Sequence, residues 1–337
     1  QGSGRWRLWR GDGRRRRPPK MTGMTVISYS QWIDSGRTRA ALRAAVASGE
    51  VVRLRRGVVA EPGDPGAVSL HRLRILGAAP VLGPSTFFGH ESAAVLHGLP
   101  LLTNRLDEVV AVRAGGGHGA ITATLHARRA KLGGDDVTLV DGLPVTNLDR
   151  TVCDLARRLP FPEAVMVTDA GLRLGADRTE LLARCAAGRG CRMAERAVLF
   201  GDPLAESPGE SLSRVRFHQA RLPVPELQHE VFDHDGELVG RLDFWWRDQG
   251  LAGEFDGLVK YGRLLRPGES VEQVVLAEKR REQRLFDLGI RVIRWTWSDL
   301  WSPALTARVA AALQRPDAVP RASLVAEGSL QGAGPRR

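Results

Sequence analysis

Leu238-Val239-Gly240-Arg241-Leu242-Asp243-Phe244-Trp245-Trp246, then Arg247-Asp248-Gln249-Gly250, then Leu251-Ala252-Gly253-Glu254-Phe255-Asp256-Gly257 sets the architecture of the C-terminal third of this chain. Two apolar runs around a four-residue polar turn predict a β-hairpin. With those four residues as the loop, Trp246 pairs with Leu251, and counting back places Asp243 opposite Glu254. Asp256, two residues on, shares the face of Glu254. Facing β-carbons lie about 5 Å apart, so three carboxylates on one patch destabilise the sheet unless positive charge offsets them. A divalent cation is the expected offset.

The flanking sequence extends this hairpin into a domain. Ser207-Pro208-Gly209-Glu210 has the residues of a helix start, with Ser at the cap, Pro in the first turn and Glu three residues after the cap. The helix carries Leu212, Val215 and Phe217 and ends before Pro223. Gln228 to Phe232 reads as a strand, joined to Leu238 through the Asp235-Gly236 turn. Ser270 to Leu288 reads as a long helix closed by Gly289, and Ile290 to Trp297 as a dense strand expected to be buried. Helix, three antiparallel strands, helix, strand is the order of a restriction-endonuclease-like core. The domain is expected over 201–305, with 306–337 a polar disordered tail.

Hydrolysis of a phosphodiester needs an activated water and neutralisation of developing charge, and carboxylate-bound Mg²⁺ supplies both. Asp243, Glu254 and Asp256 are the candidate metal ligands, and Glu210 is placed to reach in from the helix. A lysine beside the attacking water would stabilise the developing charge; Lys260 and Lys279 are the candidates. Each assignment has a structural competitor. Glu210 also completes a capping box with Ser207, and Asp256-Gly257 also reads as a turn. Asp243 or Glu254 can pair with Arg241 or Arg294 as a structural ion pair. Glu278 and Arg281, at i and i+3, can bolt the long helix to the sheet. Trp245, Trp246, Trp295 and Trp297 can stack on a base or, more in keeping with their neighbours, pack the core.

The N-terminal half reads differently. The net charge is +11, but the first twenty residues hold eight basic side chains and one acid, and the rest of the chain carries only about +4. The strong basicity is therefore local. Residues 1–24 are expected to be a basic disordered tail without an apolar core of signal-peptide length, with Met21 and Met24 as candidate starts. No apolar run approaches the roughly 20 residues that span a bilayer. Cys153, Cys185 and Cys191 are odd in number and lack metal spacing, which suits buried thiols in a reducing cytoplasm.

From Thr25 the pattern becomes regular. Ser30 is expected to cap a short helix from Gln31; Arg37 to Ser48 follows as a second helix ended by Gly49, and Val51 to Ala60 as two strands around a basic turn. This is the order of a winged helix over 25–62. Arg37, Arg39 and Arg43 lie off the apolar stripe of the second helix, and Arg53, Arg55 and Arg56 cluster in the wing. Phosphates of double-stranded DNA are the physical use of such charges; a solvated basic face is the alternative.

Residues 63–200 read as a mixed α/β segment. Helices are expected at 69–78, 92–97, 150–158, 162–172 and 178–187, and strands at 108–112, 122–126 and 137–140. The glycine-rich Ala114 to Gly119 loop lacks the Lys-Ser/Thr ending of a phosphate loop and reads as a hairpin tip. His90, His97 and His126 show no metal spacing and read as packed or surface histidines.

Two resemblances add to this reading. Gln31 to Ala60, His90-Glu91-Ser92-Ala93-Ala94-Val95-Leu96-His97-Gly98-Leu99 and Val145 to Ala156 resemble the AbiEi-type antitoxins and related actinobacterial regulators. That resemblance implies DNA binding, or control of a partner toxin protein, by the N-terminal half. The wing ends Gly-Val-Val-Ala where an aromatic is frequent. Glu206 to Arg214, Val239 to Phe244, Gly253 to Gly257, Glu278 to Leu285 and Gly289 to Arg294 resemble the PD-(D/E)XK domains similar to very-short-patch repair endonucleases. It implies a Mg²⁺-dependent endodeoxyribonuclease, with departures: Asp256 stands where the signature lysine falls, and Lys260 where close relatives place a histidine. The expectation is a cytoplasmic α/β (mixed α+β) protein of winged helix, α/β middle segment and restriction-endonuclease-like domain. It acts either as a metal-dependent endonuclease of a defence, repair or toxin-antitoxin system, or as a DNA-binding regulator whose nuclease-like domain is inactive.

Overall fold

A computed structural model describes residues 26–61, 66–102, 106–115, 125–257 and 270–315. The chain is mixed α+β and divides into two compact units, Gln1–Pro208 and Gly209–Arg337. The division falls at 208 rather than 200, and the winged-helix and middle segments belong to one unit rather than two. Both tails expected to be disordered, apart from 306–315, lie outside the described residues, as do Gly116–Gly119 of the glycine-rich loop and Lys260.

The first unit opens with β1 (Val26–Ser28), α1 (Tyr29–Asp34), α2 (Arg39–Ser48), β2 (Val52–Arg55) and β3 (Val58–Ala60), and the strands form an antiparallel sheet in the order β1-β3-β2. Ser28, not Ser30, caps α1: its hydroxyl accepts from the Gln31 N–H while the Gln31 side chain accepts from the Ser28 N–H, which satisfies two helix-start donors at once. Thr38 caps α2, so that helix starts at Arg39 and leaves Arg37 in the turn. Trp32, Ala45, Val51 and Val59 make the small core. The next helix, α3 (Ala67–Ala78), lays Leu73 against Leu54, Val58 and Ala60, and its Ile75 and Leu76 belong to the core of the larger sheet of the same unit.

The rest of the unit runs β4 (Thr86–Phe88), α4 (His90–His97), β5 (Val109–Ala114), β6 (Leu125–Ala130), β7 (Val137–Val140), β8 (Leu143–Thr146), α5 (Leu148–Ala156), α6 (Phe161–Arg173), α7 (Arg178–Cys185) and α8 (Cys191–Phe200). Its five-stranded sheet is ordered β6-β5-β4-β8-β7, with β4–β8 and β5–β6 parallel. The central pair, β4 and β8, and helix α8 lie outside the expected elements. β4 is only three residues of Thr-Phe-Phe, and β8 contains Pro144, so neither shows a strand period.

The second unit comprises α9 (Pro208–Gln219), β9 (Glu226–Phe232), β10 (Leu238–Trp246), β11 (Leu251–Asp256), α10 (Val271–Asp287), β12 (Arg291–Thr296), α11 (Trp297–Leu300) and α12 (Ala304–Gln314). The sheet order is β12-β11-β10-β9, antiparallel from β9 to β11 and parallel between β11 and β12. Its helices and strands follow the expected order. Two cores form: Phe217, Phe244, Trp246, Trp295, Leu305 and Val309 in one, and Val231, Leu242, Trp245 and Leu285 in the other.

Two expectations are corrected here. Residues 306–314, expected to be tail, are helix, because Leu305 and Val309 bury fully in the first of these cores. The dense strand from Ile290 is an edge strand, and of β12 only Trp295 is buried. Trp245, Trp246 and Trp295 are all core residues with no face open to a base. Close approach explains one glycine: a β-carbon on Gly209 would sit 2.0 Å from the Phe255 ring, so α9 packs on the end of β11 only because that side chain is absent.

Candidate functional site

The hairpin has the expected register, Trp246 to Leu251, Trp245 to Ala252 and Phe244 to Gly253. The next pair by that count is Asp243 and Glu254, and there the backbone ladder gives way to side chains. Asp243 Oδ2 accepts from the Phe255 N–H at 2.9 Å. Its carboxyl is pushed up to about 6, first by burial, with the charges of Glu210 and Glu254 adding to it against the Phe255 N–H and Arg281.

Glu254 solves the same problem differently. Burial alone would raise its pKa, but Arg281 and Arg294 outweigh that and hold the carboxyl below the usual range. Arg281 Nη2 donates to Oε1 at 2.5 Å and Arg294 Nε to Oε2 at 2.9 Å. Arg294 comes from β12, directly in register with Glu254 across the parallel pair. Arg281 comes from α10, and Glu278, one turn earlier, accepts from both guanidiniums, at 3.2 Å from Arg281 and 2.5 Å from Arg294. Room for Arg281 is written into the strand: a β-carbon on Gly240 would lie 2.6 Å from its Nε. The charge that offsets the carboxylates is therefore a pair of guanidiniums.

The other expected site residues scatter around this centre. Glu210 is buried and accepts from Gln228 Nε2 at 2.9 Å. Gln228 itself has φ 52, a left-handed conformation inside a strand that costs on the order of 1–3 kcal/mol for a side chain of this kind. Asp256 is exposed at the last residue of β11, and Lys279 is exposed on α10. Glu210, Asp243 and Glu254 are thus brought within electrostatic reach of one another, while Asp256 and Lys279 are not held in the cluster. Glu278, Arg281 and Arg294 carry more of the architecture than the sequence weighting suggests. Their signal was the i, i+3 spacing on α10 and the arginine in a strand of apolar residues. Nothing in the sequence marks Gln228.

This donor set does not fit Mg²⁺ as arranged. Magnesium takes carboxylate oxygens in an octahedron with several waters, whereas both oxygens of Glu254 are spent on guanidiniums that place positive charge beside it. Among the described residues no group of three or more His, Cys, Asp or Glu side chains is arranged to hold a metal.

On the first unit, Arg37, Arg39, Arg43, Arg53 and Arg56 are all exposed. Arg39 and Arg43 fall four residues apart on one face of α2. The Arg37 guanidinium lies 4.5 Å from the centre of the Trp32 ring, and that of Arg39 lies 5.4 Å from the centre of Tyr29 and donates to its hydroxyl. Arg53 and Arg55 are carried by β2, with a register shift between them, and Arg56 sits in the turn before β3. The three expected packed or surface histidines lie apart: His90 is buried, His97 Nε2 donates to the Thr146 carbonyl at 2.7 Å, and His126 lies 3.1 Å from Glu108.

No family model matches the chain. Two uncharacterized proteins of Mycobacterium tuberculosis, from strains CDC 1551 and H37Rv, are each 34% identical over 171 residues, covering 49% of this chain and 60% of the relative. The chain thus spans about three fifths of the length of the curated relatives it matches. A crystal structure of another Mycobacterium tuberculosis protein aligns with 62% of this chain and 84% of its own at 13% identity and a TM-score of 0.34. Among the described residues no helix is long and apolar enough to cross a membrane.

Proposed function

We propose that this chain is a DNA-binding regulator that engages duplex DNA through Arg37, Arg39, Arg43, Arg53, Arg55 and Arg56, and that its nuclease-like unit is a non-catalytic platform. The observation that carries the second half is the double guanidinium clamp on Glu254 by Arg281 and Arg294. A carboxylate held this way already has its counter-charge, and taking it for a metal would strand two part-buried cations. The first half rests on the exposed arginines of α2 and the β2–β3 hairpin, the elements that meet DNA in a winged helix. A partner toxin protein is compatible with the same reading, with the second unit as its docking platform.

One observation favours the other reading, a Mg²⁺-dependent endonuclease: Glu210 and Glu254 lie close enough to Asp243 for their charges to add to the burial that pushes it up to about 6. A single experiment separates the two. Labelled duplex DNA is incubated with the full chain in Mg²⁺ and in Mn²⁺, with binding read by fluorescence anisotropy and integrity read on a denaturing gel. The regulator reading expects binding and intact DNA. Metal-dependent nicking that Asp243→Ala or Glu254→Ala abolishes establishes the endonuclease, and failure to bind any duplex removes both.

A further inference from the structure

Two of the three cysteines are brought together by the fold. Cys153 lies on α5 and Cys185 ends α7, and their sulfurs stand 2.9 Å apart in the interior of the first unit. Both are fully buried, while Cys191, the first residue of α8, is half-buried and apart. A disulfide sulfur pair stands at about 2.05 Å, so closing this pair takes less than about 1 Å of movement. The two helices are also held in this relation from outside: Arg157 of the turn after α5 donates through Nη2 to the carbonyls of Arg184 and Ala187 at the end of α7.

We infer that Cys153 and Cys185 are a reversible dithiol–disulfide pair that staples α5 to α7 when the protein meets a peroxide. Two further features suit the pair to this chemistry. The contact between the two sulfurs, in which either thiol can donate, acts against burial to lower the Cys153 thiol toward the thiolate that acts as nucleophile. Peroxide reaches the pair when α7 lifts, a helix that buries only Leu181 and Cys185 of its eight residues and is otherwise held by the surface contacts of Arg157, Arg178 and Arg184. The Cys153 thiolate attacks one peroxide oxygen, the O–O bond breaks, and a sulfenic acid and hydroxide form. Cys185 sulfur then attacks the sulfenic sulfur, the S–S bond forms as the S–O bond breaks, and the departing oxygen leaves as water. Two thiols and one hydrogen peroxide give one disulfide and two waters.

The test uses the full chain, reduced, desalted, and treated while folded with hydrogen peroxide. It is then unfolded in guanidinium with iodoacetamide and studied by intact mass and peptide mapping. The expected result is a single alkylated cysteine, Cys191, with a peptide cross-linked between Cys153 and Cys185, and a rise of several degrees in Tm that dithiothreitol reverses. The same cross-link is expected in Cys191→Ser, and none in Cys185→Ala. Three alkylated cysteines after peroxide, a cross-link that contains Cys191, or over-oxidation of Cys153 without a cross-link would each overturn the inference. The measurement on the unsubstituted chain stands even where a variant fails to fold.

Discussion

Burying a carboxylate costs several kcal/mol unless its charge is matched, and the two acids at the open end of the β10–β11 ladder meet that cost in opposite ways. Glu254 keeps its charge because two guanidiniums reach it, whereas Asp243, buried beside two acidic neighbours with one backbone N–H to accept from, is pushed up to about 6 and keeps its proton only below that pH. A folded pKa of about 6 against an ordinary 3.8 means that the folded chain binds this proton more tightly than the unfolded one. The stabilisation is complete below the ordinary value, fades as pH rises between the two, and is gone above about 6. Asp243→Asn keeps an acceptor for the Phe255 N–H without the charge. It is therefore expected to exceed the unsubstituted chain in stability at pH 7.5 by on the order of 2 kcal/mol, with the advantage disappearing by about pH 4. Urea unfolding at a series of pH values checks this, and an advantage that is flat in pH would show that burial of the charge is not the cause. The hairpin residues were legible from the sequence: the turn, the register and the proximity of Asp243 to Glu254 all follow from strand alternation. The identity of the compensating charge was not, because Arg281 lies on another element and Gly240, which admits it, looks like any strand glycine.

Elements were recovered where a period had room to repeat. α10 begins at Ser270 with a reciprocal cap through Gln273 and buries Leu285, and β10 runs over the expected residues. Among the short strands, β2, β3 and β7 fall where expected, but β1, β4 and β8, of three or four residues, show no alternation and form because neighbouring strands present unpaired backbone to them. α12 is a different case, since Leu305, Val309 and Leu313 repeat at helical spacing and pack on the Phe217–Trp246–Trp295 core. A chain ending at Pro303 lacks this helix and opens that core to water. Losing the two fully buried side chains Leu305 and Val309 alone is expected to cost at least about 4 kcal/mol. A lowered midpoint in chemical denaturation, or loss of the cooperative transition of the second unit, is the outcome to look for. An unchanged midpoint would mean that α12 is not part of the folding unit.

Across the chain as a whole, charge is unevenly placed. The excess over neutrality sits largely in the first twenty residues, so on the proposed DNA-binding reading a salt-dependent affinity alone does not identify α2 and the β2–β3 hairpin as its source. The slope does. Each phosphate neutralised contributes about 0.9 to the dependence of log affinity on log salt, so Arg39→Ala combined with Arg43→Ala is expected to lower the slope by about 2. Anisotropy titrations across a salt series measure it in the full chain, and an unaltered slope would remove α2 from the proposed DNA interface.

The features that depend on near neighbours could be read from the chain alone: alternation in the hairpin, the start and end of α10, the basic residues of α2 and the β2–β3 hairpin, and the mixed α+β class. Which distant groups meet was settled by folding. It set Arg281 and Arg294 on Glu254, joined Cys153 to Cys185, seated α12 in the core and made one unit of the first 208 residues. Periodicity and capping act over a few residues of chain, while ion pairing and burial act through space between residues whose separation in sequence carries no pattern.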